Sequence, residues 1–468
     1  MEKKNTTRRE FISRSTLAAG GLAIGLNSIT APVSGKNLGA NEKVRVGFIG
    51  VGNRGSQLLK RFMANKDVEV AAFSDVYKPY LTRNRLEVSK RFLESGMVPP
   101  MGESFPNKVK QFNDFRDLLD QKDIDAVVIA TPDHWHAVQT IMALEAGKDI
   151  YVEKPLTITL KEGRMMVDAQ NKTDRIVQVG LNRRGSSIYQ NLAPRLQNGL
   201  IGKITFAQAF RISNMYPKGI GSLSPEQPPK DFNWDMWLGP RAFRPYQYNI
   251  APYYFRWWSD YSSQMGNWGV HYMDAIRWMM GEKAPKAITA HGGKFVLNDD
   301  RTIPDTMEVT FEFGSGAMIS FSILEATGGK RVQGGEVELR GSKGTISIDQ
   351  NHYNAEPASP GQFQDWKQLM EPAAGDIQST KTYGDLNIRE DSSARLIRNF
   401  LDCVKSREKP WCPLEEGHRS TSFAHLANIS LATDQRIEWD AENEIITNNK
   451  KANDLLHYQY RKPWDKIK

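Results

Sequence analysis

The sequence predicts an α/β chain, with a doubly wound parallel sheet first and an α+β domain carrying a large, mostly antiparallel sheet second. Three observations carry that prediction. Short apolar strands alternate with helices up to Pro155, longer strand-like runs gather after Ile204, and 468 residues exceed what one ordinary hydrophobic core holds. The corresponding division is a leader over 1–40, a first domain over 41–160 and a second over 161–468.

Val44–Ile49 reads as a buried strand, followed by a glycine turn and an amphipathic helix from near Ser56 to near Asn65. A second strand, Val68–Ser74, ends at Asp75. A basic helical stretch to about Ser95, a Pro/Gly-rich loop over 97–107 and a short helix at Phe115–Leu119 come next. Asp125–Ala130 is another apolar strand and 137–146 a helix; beyond Pro155, one more helix leads to the strand Ile176–Gly180. In the second domain strands are expected at 204–212, 306–313, 317–323, 335–340 and 344–348, and a helix within 395–420 closes it. The Pro- and aromatic-rich segment 214–258 and the polar segment 351–390 break this rhythm, and both are expected to be surface excursions around a site.

Hydrophobic residues at 40% and charged residues at 25% are those of a globular protein and exclude a disordered, fibrous or membrane-bundle chain. Half of the net charge of +8 sits in residues 1–40, where Lys3, Lys4, Arg8, Arg9, Arg14 and Lys36 face only Glu2 and Glu10. The rest is spread without a Lys/Arg block or a helix-turn-helix or zinc-finger spacing, which weighs against nucleic acid as a partner. Thr7-Arg8-Arg9-Glu10-Phe11-Ile12-Ser13 precedes an apolar run, Leu17–Leu26, too short to span a bilayer. It reads as a twin-arginine export signal cleaved between about Ala31 and Ala40, giving a periplasmic protein with no membrane span; a frayed basic start on a cytosolic chain is the plainer alternative. Such export follows folding in a reducing compartment, so Cys403 and Cys412 are expected as two buried free thiols rather than an essential disulfide.

Gly50-Val51-Gly52-Asn53-Arg54-Gly55 is a G-x-G-x-x-G placed directly after a strand and before a helix, with Asp75 ending the next strand. That context, more than the short pattern itself, reads as a Rossmann dinucleotide site. Its glycines admit the pyrophosphate to the helix N-terminus, and Asp75 would accept from ribose hydroxyls and repel a 2′-phosphate, favouring NAD over NADP. Arg54 pulls the other way, since a neighbouring guanidinium can serve a phosphate. Asp133, His134 and His136 raise a metal reading, but ligands two apart on an extended segment leave little room for a tetrahedral set, so no metal is expected.

Ala130-Thr131-Pro132-Asp133-His134-Trp135-His136, then Ala146-Gly147-Lys148 and Val152-Glu153-Lys154-Pro155-Leu156, resemble the glucose-fructose oxidoreductase, inositol dehydrogenase and rhizopine-catabolism (Gfo/Idh/MocA) family over about residues 44–420. The resemblance implies that Thr131, Pro132, Trp135, His136 and Glu153 lie against the cofactor with Asn53 and the glycines. It also places Lys154 between nicotinamide and substrate. A lysine beside a cationic nicotinamide has a lowered pKa and exchanges a proton with a substrate hydroxyl more readily. The family's D-x-G-x-H pattern is matched by Asn267-Trp268-Gly269-Val270-His271, which implies His271 as general base. Asn267 departs from the family's aspartate and is expected to hydrogen-bond a sugar hydroxyl, leaving Lys154 and His271 to handle the proton.

Asn182-Arg183-Arg184 resembles the family's segment near the substrate, so Arg183 either binds hydroxyls or pairs with an acid. Tyr253, Tyr254, Phe255, Trp257 and Trp258, beside Arg256 and Asp260, suit a carbohydrate platform or plain core. His418 reads as structural. The expected function is oxidation of a secondary hydroxyl, at C3, of a small-molecule sugar or glycoside with tightly bound NAD. Two alternatives stay open: a redox-neutral NAD-dependent glycosidase, with Tyr253 or Tyr254 as a further base, and a non-catalytic dinucleotide-binding sensor. Asn267 speaks for the sensor, Lys154 and His271 against it. The broad sheet of the second domain is expected to support a homo-oligomer.

Overall fold

The computed structural model describes residues 42–328, 336–362, 365–377 and 390–467. The twin-arginine segment lies outside them. Six strands make the first sheet: β1 (Val44–Ile49), β2 (Val68–Ser74), β3 (Lys110–Phe112), β4 (Ala126–Ile129), β5 (Asp149–Val152) and β6 (Val177–Val179). They lie in the order β3-β2-β1-β4-β5-β6, all parallel. The order reverses between β1 and β4, and an open parallel sheet has its ligand crevice at such a switch point, outside the carboxyl ends of the strands.

Helix α1 (Asn53–Met63) crosses from β1 to β2 with Leu58, Leu59 and Phe62 buried against the sheet. It begins at Asn53, inside the glycine motif and three residues before the expected start. Helices α2 (His136–Glu145) and α3 (Leu160–Gln170) follow β4 and β5; a capping box, with Thr159 and Glu162 satisfying each other's backbone groups, starts α3. The basic stretch before Ser95 is not one helix. Pro79 opens one short piece, and Asn84 and Ser89 accept from the Leu86 and Phe92 N–H groups, restarting the chain twice.

The second sheet has ten strands: β7 (Ile204–Ile212), β8 (Ala287–Gly293), β9 (Thr306–Glu312), β10 (Met318–Leu324), β11 (Val337–Gly341), β12 (Gly344–Ile348), β13 (His352–Pro357), β14 (Ala373–Asp376), β15 (Ile437–Asp440) and β16 (Ile445–Ile446). Their order is β14-β13-β12-β11-β7-β10-β9-β8-β15-β16, antiparallel except for β7 beside β10. Alternation sets the faces: Met307, Val309 and Phe311 of β9 are buried, while Glu308 and Glu312 point away. On the buried face lie α4 (Ser187–Gln197), α5 (Val270–Met280) and most of α7 (Leu414–Thr433); α6 (Ser392–Ser406) packs instead against α1 and the first sheet. Among the described residues no helix is long and apolar enough to cross a membrane.

Two expectations change. The segment 214–258 is not a surface excursion: Phe232, Trp234, Trp237, Tyr246, Phe255 and Trp258 join one core with Tyr77, Tyr80 and Phe92 of the first domain. Large rings bury more area than any regular pattern of small aliphatics, so an aperiodic but aromatic segment can still be core. The described part of 351–390 adds β13 and β14 to the sheet edge, short polar strands that lack an apolar face to reveal them.

Candidate active site

The crevice at the switch point is built first from the glycine turn. Gly50 has φ +84°, and a Cβ there would lie 2.9 Å from the Ala130 carbonyl oxygen; at Gly55 it would lie 2.0 Å from the Gly50 oxygen. The turn therefore sits directly on the end of β4. No side chain caps α1 and its first turn holds no acid, so its backbone N–H groups face the crevice unneutralised, as a pyrophosphate requires. Asp75 spans the ends of β1 and β2, accepting from Val51 N at 2.9 Å and Tyr77 N at 3.0 Å. Burial pushes its carboxyl up to about 6, against the pull of those N–H groups.

The two arginines nearest the turn are already paired. Arg54 donates to Glu153 at 2.7 Å, and Arg83 binds Glu103 at 2.8 Å while donating to Val51 O. Neither guanidinium is free for a 2′-phosphate, which removes the objection that Arg54 raised to NAD. Gly50, Gly52, Asn53, Arg54, Asp75, Thr131, Pro132, Trp135, Glu153 and Lys154 all line one crevice, and the aromatic wall of Tyr77, Tyr80 and Phe92 closes its Asp75 end.

Past the turn, residues 131–136 form the opposite wall. His136 places Nε2 3.0 Å from Thr131 O and Nδ1 2.8 Å from Pro155 O, fastening this wall to the Glu153-Lys154-Pro155 turn. His134 Nε2 and Trp135 Nε1 both approach Trp237 O, at 2.9 and 3.0 Å. Asp133 accepts from the Ser262 hydroxyl. The three groups of the metal reading thus face three different partners, and no cluster of three or more His, Cys, Asp or Glu able to hold a metal exists among the described residues.

Lys154 leaves the end of β5 and reaches a π-helical turn, Met265–Gly269, that leads into α5. Its Nζ donates to Asn267 O at 2.8 Å and Asn267 Oδ1 at 3.1 Å. Asn267 therefore grips the lysine with the oxygen that was expected to meet a sugar hydroxyl. Burial outweighs the attraction of the Glu153 and Asp133 carboxylates there, and the amine is pushed down to about 8. His271 stands one turn further along. It is buried, its Nδ1 has no hydrogen-bond partner, and burial with the nearby charges of Lys154 and Arg183 holds its pKa well below the usual imidazole range. Lys154 and His271 are thereby brought together at the junction of the two sheets, a neutral imidazole beside an easily deprotonated amine.

Arg183 pairs with Glu336 at 2.6 Å and lies over the Tyr272 ring, the acid-paired one of its two expected roles. Trp257 is 9% exposed and donates its indole N–H to Glu325 at 2.9 Å; with Phe255 and Trp258 it belongs to the core. Tyr253 lines the crevice, with Arg256 over its ring at 4.2 Å, whereas Tyr254 packs against Tyr248 and Tyr253. Cys403 and Cys412 are buried free thiols, pushed up by burial to about 11 and about 12. His418 is held by Glu444 at 2.8 Å. Sequence reasoning missed Tyr77, Tyr80, Gln139 and Trp237 in the crevice; Gln139 is on a helix that was expected, and the others come from stretches without a long period, so no motif marks any of them.

This fold and crevice define a two-domain protein with a Rossmann dinucleotide site. Residues 44–181 match the family model described as "Oxidoreductase family, NAD-binding Rossmann fold", and residues 245–438 match "Oxidoreductase family, C-terminal alpha/beta domain". The chain belongs to the Gfo/Idh/MocA family. Among curated relatives it is 30% identical over 220 residues to a "Glycosyl hydrolase family 109 protein" of Shewanella pealeana, covering 44% of this chain and 46% of that protein. It is 29% identical over 224 residues to an "Alpha-N-acetylgalactosaminidase" of Shewanella oneidensis, covering 45% and 47%. The chain spans about half the length of the curated relatives it matches. Among solved structures, levoglucosan dehydrogenase with NADH and levoglucosan superposes with a TM-score of 0.60 at 19% identity, covering 85% of this chain and 99% of that one. WlbA dehydrogenase from Bordetella pertussis, with NADH and UDP-GlcNAcA, gives 0.60 at 19%, covering 86% and 98%.

Proposed function

We propose that the protein oxidises a secondary hydroxyl, at C3, of a sugar or glycoside. The supporting observation is the amine of Lys154, fixed by the neutral amide of Asn267 beside the neutral His271. Bound NAD supplies the hydride acceptor; the glycine turn and Asp75 would hold its pyrophosphate and ribose. Lys154, with a pKa near working pH, takes the hydroxyl proton. His271 is too weak a base to take that proton first, and its free Nδ1 instead orients the hydroxyl. Arg54 and Glu153 hold the backbone that carries the lysine.

The names of the curated relatives favour a second reading, a redox-neutral glycosidase in which transient oxidation acidifies the neighbouring C–H, a base removes that proton, the aglycone leaves, water adds and the hydride returns to the ketone. Of the two tyrosines that could serve as that base, Tyr253 is the one lining the crevice. A non-catalytic sensor has less support, because the substitution at Asn267 keeps Lys154 in place rather than abandoning it. We also propose periplasmic export with tightly held NAD, and a homo-oligomer; fractionation of the producing cells and sedimentation test these. The reaction is tested by incubating NAD-loaded protein with α- and β-glycosides. A glycoside that stays intact but loses two hydrogens, with reduced nicotinamide formed, supports the dehydrogenase; stoichiometric release of sugar and aglycone supports the glycosidase; neither product with any glycoside leaves the sensor.

A further inference from the structure

Around the junction of the two sheets, arginines are paired with carboxylates: Arg54 with Glu153, Arg183 with Glu336 and Arg184 with Asp274. Arg211 is different. It stands near the end of β7, in register with Ile323 of β10, on the face whose earlier residues Ala207 and Ala209 are buried under the helices. Its guanidinium carbon lies 3.5 Å from the centre of the Trp268 ring. Its Nε is buried without a hydrogen-bond partner, and among the described residues the guanidinium makes no ion pair. A carboxylate in its field, Glu325, has Oε2 committed to Trp257 at 2.9 Å and Arg301 at 2.8 Å, and burial pushes that carboxyl up to about 7.

Buried N–H donors are normally satisfied, and one left without a partner is costly. Stacking on an indole holds the planar fork in one orientation, and a fixed fork suits bidentate recognition of an oxyanion. Trp268 follows Asn267, which grips Lys154, and precedes His271 by three residues, so the ring under Arg211 belongs to the turn that carries the proposed reaction centre. It is not part of the cofactor crevice: Asn267 lines that crevice, but neither Trp268 nor Arg211 does. The pyrophosphate therefore does not account for it.

We infer that Arg211 with Trp268 forms a substrate subsite for an anionic oxyacid group, a carboxylate or a sulfate ester, on the sugar ring. The inference rests on the proposed sugar-oxidising function and narrows its substrate to acidic sugars. Trp268 positions the guanidinium, and the two terminal nitrogens of Arg211 donate to two oxygens of the anion. The test compares kcat/KM of the NAD-loaded protein on a glucuronide, a sulfated glycoside and the corresponding neutral glucoside, for the natural chain and for Arg211→Gln and Arg211→Lys. The expected result is a preference of about ten- to a hundredfold for one acidic substrate, the size of a charge-assisted hydrogen-bond pair. The preference is expected to be lost in Arg211→Gln, partly kept in Arg211→Lys, with turnover of the neutral glucoside little changed. Which acidic substrate gains tells carboxylate from sulfate. Equal turnover of neutral and acidic glycosides, with Arg211→Gln affecting them alike, overturns the subsite while leaving the oxidation standing. If no glycoside is turned over, the proposed function fails, and calorimetric titration with glucuronate against glucose still decides the subsite: tighter binding of glucuronate that vanishes in Arg211→Gln supports it, and equal binding overturns it.

Discussion

Lys154 is held in a buried turn by two oxygens of one neutral residue, and the Glu153 and Asp133 carboxylates only partly oppose the loss of charge that burial favours. With the neutral amine as the proposed proton acceptor, the rate of hydroxyl oxidation is expected to rise with pH through a limb near the lysine's lowered value of about 8. Asn267→Asp places a carboxylate against the ammonium, favours the charged form and moves that limb upward by about one unit or more. Stopped-flow kcat/KM profiles of the two proteins read the shift directly; an unmoved limb removes Lys154 from the role. Asp75 gives a second dependence of opposite origin. Only its ionised form accepts two ribose hydroxyls, and its carboxyl stands raised to about 6. NAD affinity should fall as pH drops through that value, and in Asp75→Ala it should be weak and flat across the same range, as measured by calorimetric titration.

At the scale of elements, the glycine turn and α5 fix where these groups stand. Gly55→Ala drives a Cβ into the Gly50 carbonyl, a backbone atom that cannot swing aside. A loss of about 2–3 kcal/mol in urea unfolding together with loss of NAD binding is expected; an unchanged midpoint contradicts the packing described. Helix α5 is anchored by a buried network in which Arg184, Asp274, Arg277, Glu416 and Ser420 share hydrogen bonds. Asp274→Ala leaves Arg184 and the Ser420 hydroxyl short of a partner and should cost about 3–5 kcal/mol, carrying His271 out of position. Differential scanning calorimetry and kcat together check it: a variant with normal stability but no activity would mean that Asp274 does more than anchor.

For the whole molecule, what could be read in advance follows from how local each signal is. The parallel sheet was legible because β1, β2 and β4 are apolar runs each followed by a helix, and the glycine motif marks one of those junctions. Lys154 and His271 were legible through motifs, although their meeting depends on contacts 113 residues apart. The aromatic segment 214–258 was misjudged because its burial comes from rings of two domains meeting, as when Phe232 packs 5.7 Å from Tyr77. Asn267 was assigned to the substrate because sequence alone does not show which partner an amide oxygen takes, and Arg211 carried no signal until Trp268 was seen beneath it. In the proposed reaction this junction moves a hydride from a sugar carbon while Lys154 takes the proton. A single turnover of NAD-loaded protein with a glycoside deuterated at C3, followed by mass spectrometry of cofactor and sugar, tests it most directly. The account predicts deuterium at C4 of the reduced nicotinamide; deuterium retained on the sugar throughout, with the cofactor oxidised and the glycosides untouched, would contradict it.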